Sequence, residues 1–275
     1  MIDLHAHILP ELDDGPTTLA ESVEMCRRSC QDGVRTIVAT PHILEGVYPN
    51  HRPTILAKVQ ELNDAITKCG LWNAELGMKN LDSKMSSQLN SELRTHHSGL
   101  PLVVLPGADV HFSSDMVGLC GNGGIVTVND GGRFLMVEFD SQGIPYRAED
   151  VLFRLMAEGI TPVITHPERN SEIGQRPQRY AEMIRRGCLG QVTAMSLTGG
   201  FGPGVRQIAE KLLKHRLVHI IASDTHSIAR RPPALSLAVR EAEKIVGKEE
   251  AQRMVTDYPQ AVIEGRRPDV PEPIS

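Results

Sequence analysis

Short β-branched runs alternate along this chain with longer stretches in which apolar residues recur at helical spacing. Ile2 and Leu4 open a short buried strand, and Val34–Thr40 (VRTIVAT) is a second compact run ending at Pro41-His42. Between them Thr18 and Glu21 have capping-box spacing, Leu19, Val23, Cys26 and Cys30 lie on one helical face, and Gly33 is a stop. A helix from about Pro53 carries Ile55, Val59, Leu62 and Ile66 on one side and ends at Gly70. Later strands are predicted at Leu102–Leu105, Phe134–Val137, Ile160–Thr165, Leu189–Thr193 and Leu217–Ser223. Ile125–Val128 is a shorter extended piece before the turn signal Asn129-Asp130-Gly131-Gly132. Helices are predicted over about Arg147–Glu158, Pro177–Arg186, a stretch ending near His215, Pro233–Val246 and Glu249–Thr256.

Alternation of this kind, with about seven strands, implies a parallel sheet in an α/β fold. A length of 275 residues suits one α/β barrel domain, residues 1–265. The Pro-rich segment 266–275 reads as a tail on the surface or without order. From Gly70 to Gly99 the pattern weakens into Ser, Asn and Lys, with one helical-looking piece around Leu81–Leu93. That segment reads as an insertion or lid, with a solvated loop as the alternative.

Composition narrows the function classes. The hydrophobic fraction is 40%, enough for a core without disulfides, and the net charge is −5 with no basic block, which argues against nucleic acid as partner. Asp3 and His5 interrupt any signal-like start, and no apolar run approaches the ~20 residues of a membrane span. Cys26, Cys30, Cys69, Cys120 and Cys188 form no C-x-x-C pair, and none has an arginine six positions on, so the phosphate loop of cysteine-dependent phosphatases is missing. These features together point to the cytoplasm; they do not address oligomeric state.

Candidate chemistry lies where the strands end. His5 and His7 follow the first strand two residues apart, so both imidazoles point to one side, and Asp13 and Asp14 sit in the next turn. His42, Asp109, Glu138, His166, and Asp224 with His226 close five later segments. In a (β/α) barrel those ends share one face. Any one of these residues alone is more often a structural or surface residue than a ligand; as a set, imidazoles and carboxylates without thiolates describe a site for Mn, Fe or Zn ions.

H-A-H at His5–His7, L-D-D-G-P at Leu12–Pro16, T-P-H at Thr40–His42, I-T-P-V-I-T-H-P-E-R at Ile160–Arg169 and A-S-D-T-H at Ala222–His226 resemble the polymerase and histidinol phosphatase (PHP) superfamily. Within it the chain is most similar to the manganese-dependent protein-tyrosine phosphatases of bacterial capsular and exopolysaccharide systems. The likeness runs over most of Met1–Pro233, with the 70–99 segment and the tail unmatched. It implies a distorted seven-stranded TIM-like barrel with three divalent ions, manganese first, iron or zinc as alternatives. His5, His7 and Asp224 would hold one ion, Glu138 and His166 a second, with Asp109 bridging, and Asp14, His42 and His226 a third. The family has glutamate where this chain has Asp109, and His111, two residues on, is an alternative ligand. Arg169 and Arg231 would bind the phosphate, with Asp224 completing the catalytic set; Arg230 adjoins Arg231. Each guanidinium can grip two phosphate oxygens. The implied substrate is a phosphotyrosine protein, the tail of a bacterial tyrosine autokinase. A small-molecule phosphatase acting on histidinol phosphate and a weakly catalytic phosphopeptide-binding module are the alternatives. Gly199–Gly204 reads as a connector or as a source of backbone N–H groups for phosphate.

Overall fold

In the computed structural model, which describes residues 1–69 and 102–274, the strand runs are β1 (Ile2–Ala6), β2 (Thr36–Ala39), β3 (His42–Ile43), β4 (Val103–Pro106), β5 (Asp109–His111), β6 (Phe134–Glu138), β7 (Thr161–Thr165), β8 (Leu189–Thr193) and β9 (Ile220–Ala222). They form a mixed α/β fold with two parallel sheets, ordered β1-β2-β4 and β3-β5-β6-β7-β8-β9. Parallel strands covered by helices are apolar on both faces, and β1 and β8 are buried at every residue.

Two predicted runs are each broken at a proline. Pro41 separates β2 from β3, and Pro106 ends β4 just before β5. Proline has no N–H for the ladder, so the chain leaves the first sheet there and resumes in the second. Gly107 permits the step: a Cβ at that position would lie 2.7 Å from Val38 Cγ1.

Ile125–Val128 is not a strand. Val126 and Val128 are buried, and the chain turns through a 3-10 helix, Val128–Asp130. β5 and β6 pair directly with each other, which leaves no place for it between them. The longer helices agree with the apolar periodicity: Leu19–Gln31, Arg52–Lys68, Ala148–Ala157, Gln178–Arg185, Pro203–Lys214 and Leu235–Val246. Thr18 caps the first by accepting the Glu21 N–H at 3.2 Å. Met116–Gly121, Ser171–Gln175, Ala194–Thr198 and Asp257–Ile263 are short helices without a clear apolar period. The tail is anchored rather than loose: Val270 packs half-buried against the core, and the Ile274 N–H donates to the His215 carbonyl at 2.9 Å. The 70–99 segment lies outside the described residues. No helix among the described residues is long and apolar enough to cross a membrane.

The ends of the chain meet. Ala6 and Thr225 form a parallel bridge, the His7 N–H donates to Thr225 O at 2.9 Å, and the Asp224 N–H donates to His5 O at 2.8 Å. At the opposite ends of β1 and β9, Met254 and Val255 wedge between them, accepting from Ile221 N–H (3.2 Å) and Ile2 N–H (2.8 Å). The two strands are therefore splayed at one end and joined at the other.

His219, just before β9, is buried and accepts the Gly190 N–H at its Nδ1. Burial, then the Arg267 charge, pushes its pKa down to about 4. The unfolded chain, with an ordinary imidazole near 6.5, binds this proton where the native state does not. Stability from this residue is thus complete above pH ~6.5 and lost as pH falls towards 4, by up to about 3 kcal/mol. Urea unfolding of His219→Asn beside the wild type, at pH 7.5 and pH 5, is expected to show a smaller acid loss in the variant.

Candidate metal centre

Every strand-end residue singled out in the sequence comes to one mouth. His5, His7 and Asp109 are fully buried, and Asp224, His166 and His226 nearly so. His42 and Glu138 are partly open, and Asp14 stands half exposed at the rim. His166 and Asp224 both take left-handed backbone angles (φ 34° and 51°), uncommon outside glycine. These sharp departures from β7 and β9 begin the loops that carry Arg169 and Arg231.

Three groups within the cluster could each hold an ion: His7 with Asp14, His42 and His226; His5 with His7 and Asp109; His42 with Asp109 and Glu138. This grouping overlaps the partition that the family resemblance implies, but His7 and His42 each belong to two groups. Asp109 Oδ2 lies 3.5 Å from His5 Nε2, 3.7 Å from His42 Nδ1 and 3.7 Å from His166 Nε2. The shorter acid therefore reaches the centre, where Thr165 Oγ1 donates to its other oxygen at 3.1 Å. His111 does not substitute for it; its nitrogens face Glu138 (3.8 Å) and Asp140 (3.5 Å).

The donor set fits cations. His5 Nδ1 meets Gln191 Oε1 at 2.9 Å, and His7 Nδ1 meets Asp13 Oδ2 at 2.7 Å. Both partners only accept, so both Nδ1 atoms carry the proton. Burial lowers both imidazole pKa values, that of His7 also through its histidine neighbours, so the rings stay neutral. Their Nε2 lone pairs then face each other at 3.0 Å with Asp224 Oδ1 3.5 Å from each. Asp109 Oδ2, beside them, is buried with no hydrogen-bond partner among the described residues. Unpaired lone pairs gathered in a dry space are costly unless a cation lies among them. His42 is the exception in charge: burial opposes protonation, but Glu138 and Asp109 outweigh it and hold its pKa up to about 9.

Asp224 faces two ways. Oδ1 belongs to the histidine cluster, while Oδ2 accepts from Arg169 Nη1 at 2.6 Å and from Arg231 Nη2. Burial disfavours its charge, but the Arg231 and Arg169 guanidiniums overcome this and keep the carboxylate ionised. One carboxylate thus joins the ligand cluster to the arginine pair. Arg231 Nε is buried and donates to nothing among the described residues.

Sequence reading left Asp13 behind Asp14. Asp13 is buried, takes the His7 Nδ1–H, and accepts the His42 N–H (3.0 Å) and Gly15 N–H (2.9 Å). A Cβ on Gly15 would lie 2.8 Å from His7 O, which explains the glycine there. Gln191 carried no signal beyond its place on β8. None of the five cysteines is bridged, and burial pushes the thiol pKa of Cys188 up to about 12, away from nucleophilic reactivity. His96 and His97 lie outside the described residues.

A family model described as "Capsular polysaccharide synthesis, CpsB/CapC" matches residues 1–79 and 73–264, running through the 70–99 segment and stopping before the tail. Tyrosine-protein phosphatase YwqE of Bacillus subtilis is 31% identical over 249 residues, 90% of this chain and 86% of that protein. Tyrosine-protein phosphatase CpsB of Streptococcus agalactiae is 29% identical over 268 residues, 96% of this chain and 98% of that protein. A crystallised chain from the work on YwqE of Bacillus subtilis and CpsB of Streptococcus pneumoniae, metal-dependent tyrosine phosphatases, superposes with a TM-score of 0.85 at 30% identity, covering 100% of this chain and 98% of that one. This chain belongs to the CpsB/CapC family of capsular polysaccharide synthesis.

Proposed function

We propose that this protein is a cytoplasmic, metal-dependent protein-tyrosine phosphatase that acts on the phosphorylated tail of a bacterial tyrosine autokinase in capsule or exopolysaccharide synthesis. The observation that carries the reading is the pair of inward Nε2 lone pairs of His5 and His7, held by outward Nδ1 donors, against Asp109 and Asp224. Kinship with tyrosine phosphatases supports the substrate class. We read the nine strand runs as seven staves of a distorted barrel, β2 with β3 and β4 with β5 each making one, closed through Ala6 and Thr225, with residues 1–265 as one domain.

Nine residues would hold three divalent ions, manganese first and iron or zinc as alternatives: His5, His7, Asp14, His42, Asp109, Glu138, His166, Asp224 and His226. Divalent ions in such a cluster acidify a water towards pKa ~7 and neutralise charge on a phosphoryl group. The chain's own part is to orient and to exclude. Asp13 and Gln191 fix the tautomers of His7 and His5. Arg169 and Arg231, joined to the cluster through Asp224 Oδ2, have donors to spare for phosphoryl oxygens. The phenolate leaving group, of parent pKa about 10, needs no covalent enzyme intermediate.

Chelation with EDTA is expected to abolish hydrolysis of a phosphotyrosyl peptide, and Mn²⁺ to restore it; full activity in EDTA, or in a His5→Ala/His7→Ala double variant, would sink the reading. Comparable kcat/KM on histidinol phosphate would move the substrate class to small molecules. Tight peptide binding without turnover at full metal occupancy would favour a binding module.

Two single variants separate the layers of the site. Asp13→Ala, which removes the acceptor for His7 Nδ1–H, should weaken Mn²⁺ affinity by about 10- to 100-fold in calorimetric titration. Arg169→Ala and Arg231→Ala should each lower kcat/KM by about 100-fold. Steady-state kinetics with saturating metal measures this directly.

A further inference from the structure

Phe201 lies against both arginines and is absent from every motif that carries the family likeness. The Arg169 guanidinium carbon lies 5.3 Å from the centre of its ring and that of Arg231 5.7 Å, both inside cation–π range. The same two guanidiniums donate to Asp224 Oδ2, so each is held by a carboxylate on one side and an aromatic ring on another.

The glycine-rich loop is built to present that ring. The Gly199, Gly200 and Gly202 N–H groups donate to Ser196 O (3.3 Å), Met195 O (2.8 Å) and Gly199 O (3.0 Å), so these amides are occupied by the turn and not available to a phosphate. Gly199 and Gly202 adopt φ of +85° and +90°, and a Cβ on Gly200 would meet Met195 Cε at 2.6 Å. The turn closes helix Ala194–Thr198, leaves Phe201 half-buried, and opens helix Pro203–Lys214.

We propose that Phe201 is a positioning residue that holds Arg169 and Arg231 side by side in the orientation that grips the phosphate of a phosphotyrosyl substrate. The role rests on the phosphatase reading; the contact itself does not. An arginine has about four rotatable side-chain bonds, and two like charges on one carboxylate oxygen repel each other. A ring whose negative face attracts both limits their freedom without neutralising them or competing for their N–H donors. Asp224 alone fixes one end of each fork; the ring supplies a second constraint, so less ordering remains for the moment of substrate binding.

The test has two arms. In metal-free protein, the Hε signals of Arg169 and Arg231 should be shifted upfield by the ring current, and Phe201→Leu should return them to ordinary positions. In the Mn²⁺-loaded protein, Phe201→Leu should weaken inorganic phosphate binding and raise KM for a phosphotyrosyl peptide by about tenfold. kcat should change less than about twofold, Mn²⁺ affinity and melting temperature should hold, and Phe201→Trp should restore binding. Unshifted arginine signals, or a Leu variant that binds phosphate like the wild type, would overturn the proposal. A parallel loss of Mn²⁺ affinity would also overturn it, since the ring would then serve the whole site. If the signals shift but the wild type neither binds phosphate nor turns over the peptide, the phosphatase reading fails and the role falls with it.

Discussion

The structure depends on one seam. Residues 5–7 and 224–226, more than two hundred positions apart, are tied by the Asp224 N–H on His5 O and the His7 N–H on Thr225 O. Asp3 reinforces the seam from inside, its Oδ1 accepting from Ser223 N–H at 2.9 Å. Because successive side chains of a strand alternate, this register sends His5 and His7 to the same side and brings them against Asp224. The wedge of Met254 and Val255 holds the other ends of β1 and β9 apart, so the two strands converge only where the chemistry is.

Charge in the site is arranged in two compartments that share Asp224. On one side neutral imidazoles and carboxylates converge with their lone pairs inward; on the other, two guanidiniums approach a single oxygen. A buried carboxylate facing only lone pairs would resist ionisation, and half-buried guanidiniums without an acid would lose hydration with little return. Each compartment makes the other tolerable. The left-handed backbone at His166 and Asp224 belongs to the same economy: strain on the order of 1 kcal/mol or more at each residue persists because the ladders of β7 with β6 and β8, and the ladder of β9 with β8 together with the Ala6–Thr225 bridge, over-determine the strand ends.

The outer layer shows how ordinary residues confer precision. Asp13 and Gln191 decide which imidazole nitrogen points inward, Thr165 orients Asp109, and Glu168 accepts the Ser196 hydroxyl (2.6 Å) and the Thr193 N–H (2.9 Å) beneath the arginine loops. None of these is exotic, and each acts through ordinary hydrogen bonds. A ring nitrogen turned the wrong way would present a donor where a lone pair is required.

Local periodicity determined a good deal on its own: the strand–helix alternation, the burial of both sheet faces, and ligand-type residues at the ends of successive strands are all legible because they repeat at fixed spacing. Strand-end placement also follows locally, since His42, Asp109, Glu138 and His166 each lie at or just past an apolar run. Only the tertiary structure decided which of the adjacent Asp13 and Asp14 is buried against His7, because two identical side chains in a turn differ only in where the turn aims them. It decided likewise that Ile125–Val128 finds no strand partner, that Asp109 reaches the centre despite its shorter side chain, and that Phe201 meets two arginines from other loops. Spacing along the chain reports what each segment prefers; through-space closure between residues far apart in sequence sets which atoms meet, and chemistry depends on the atoms.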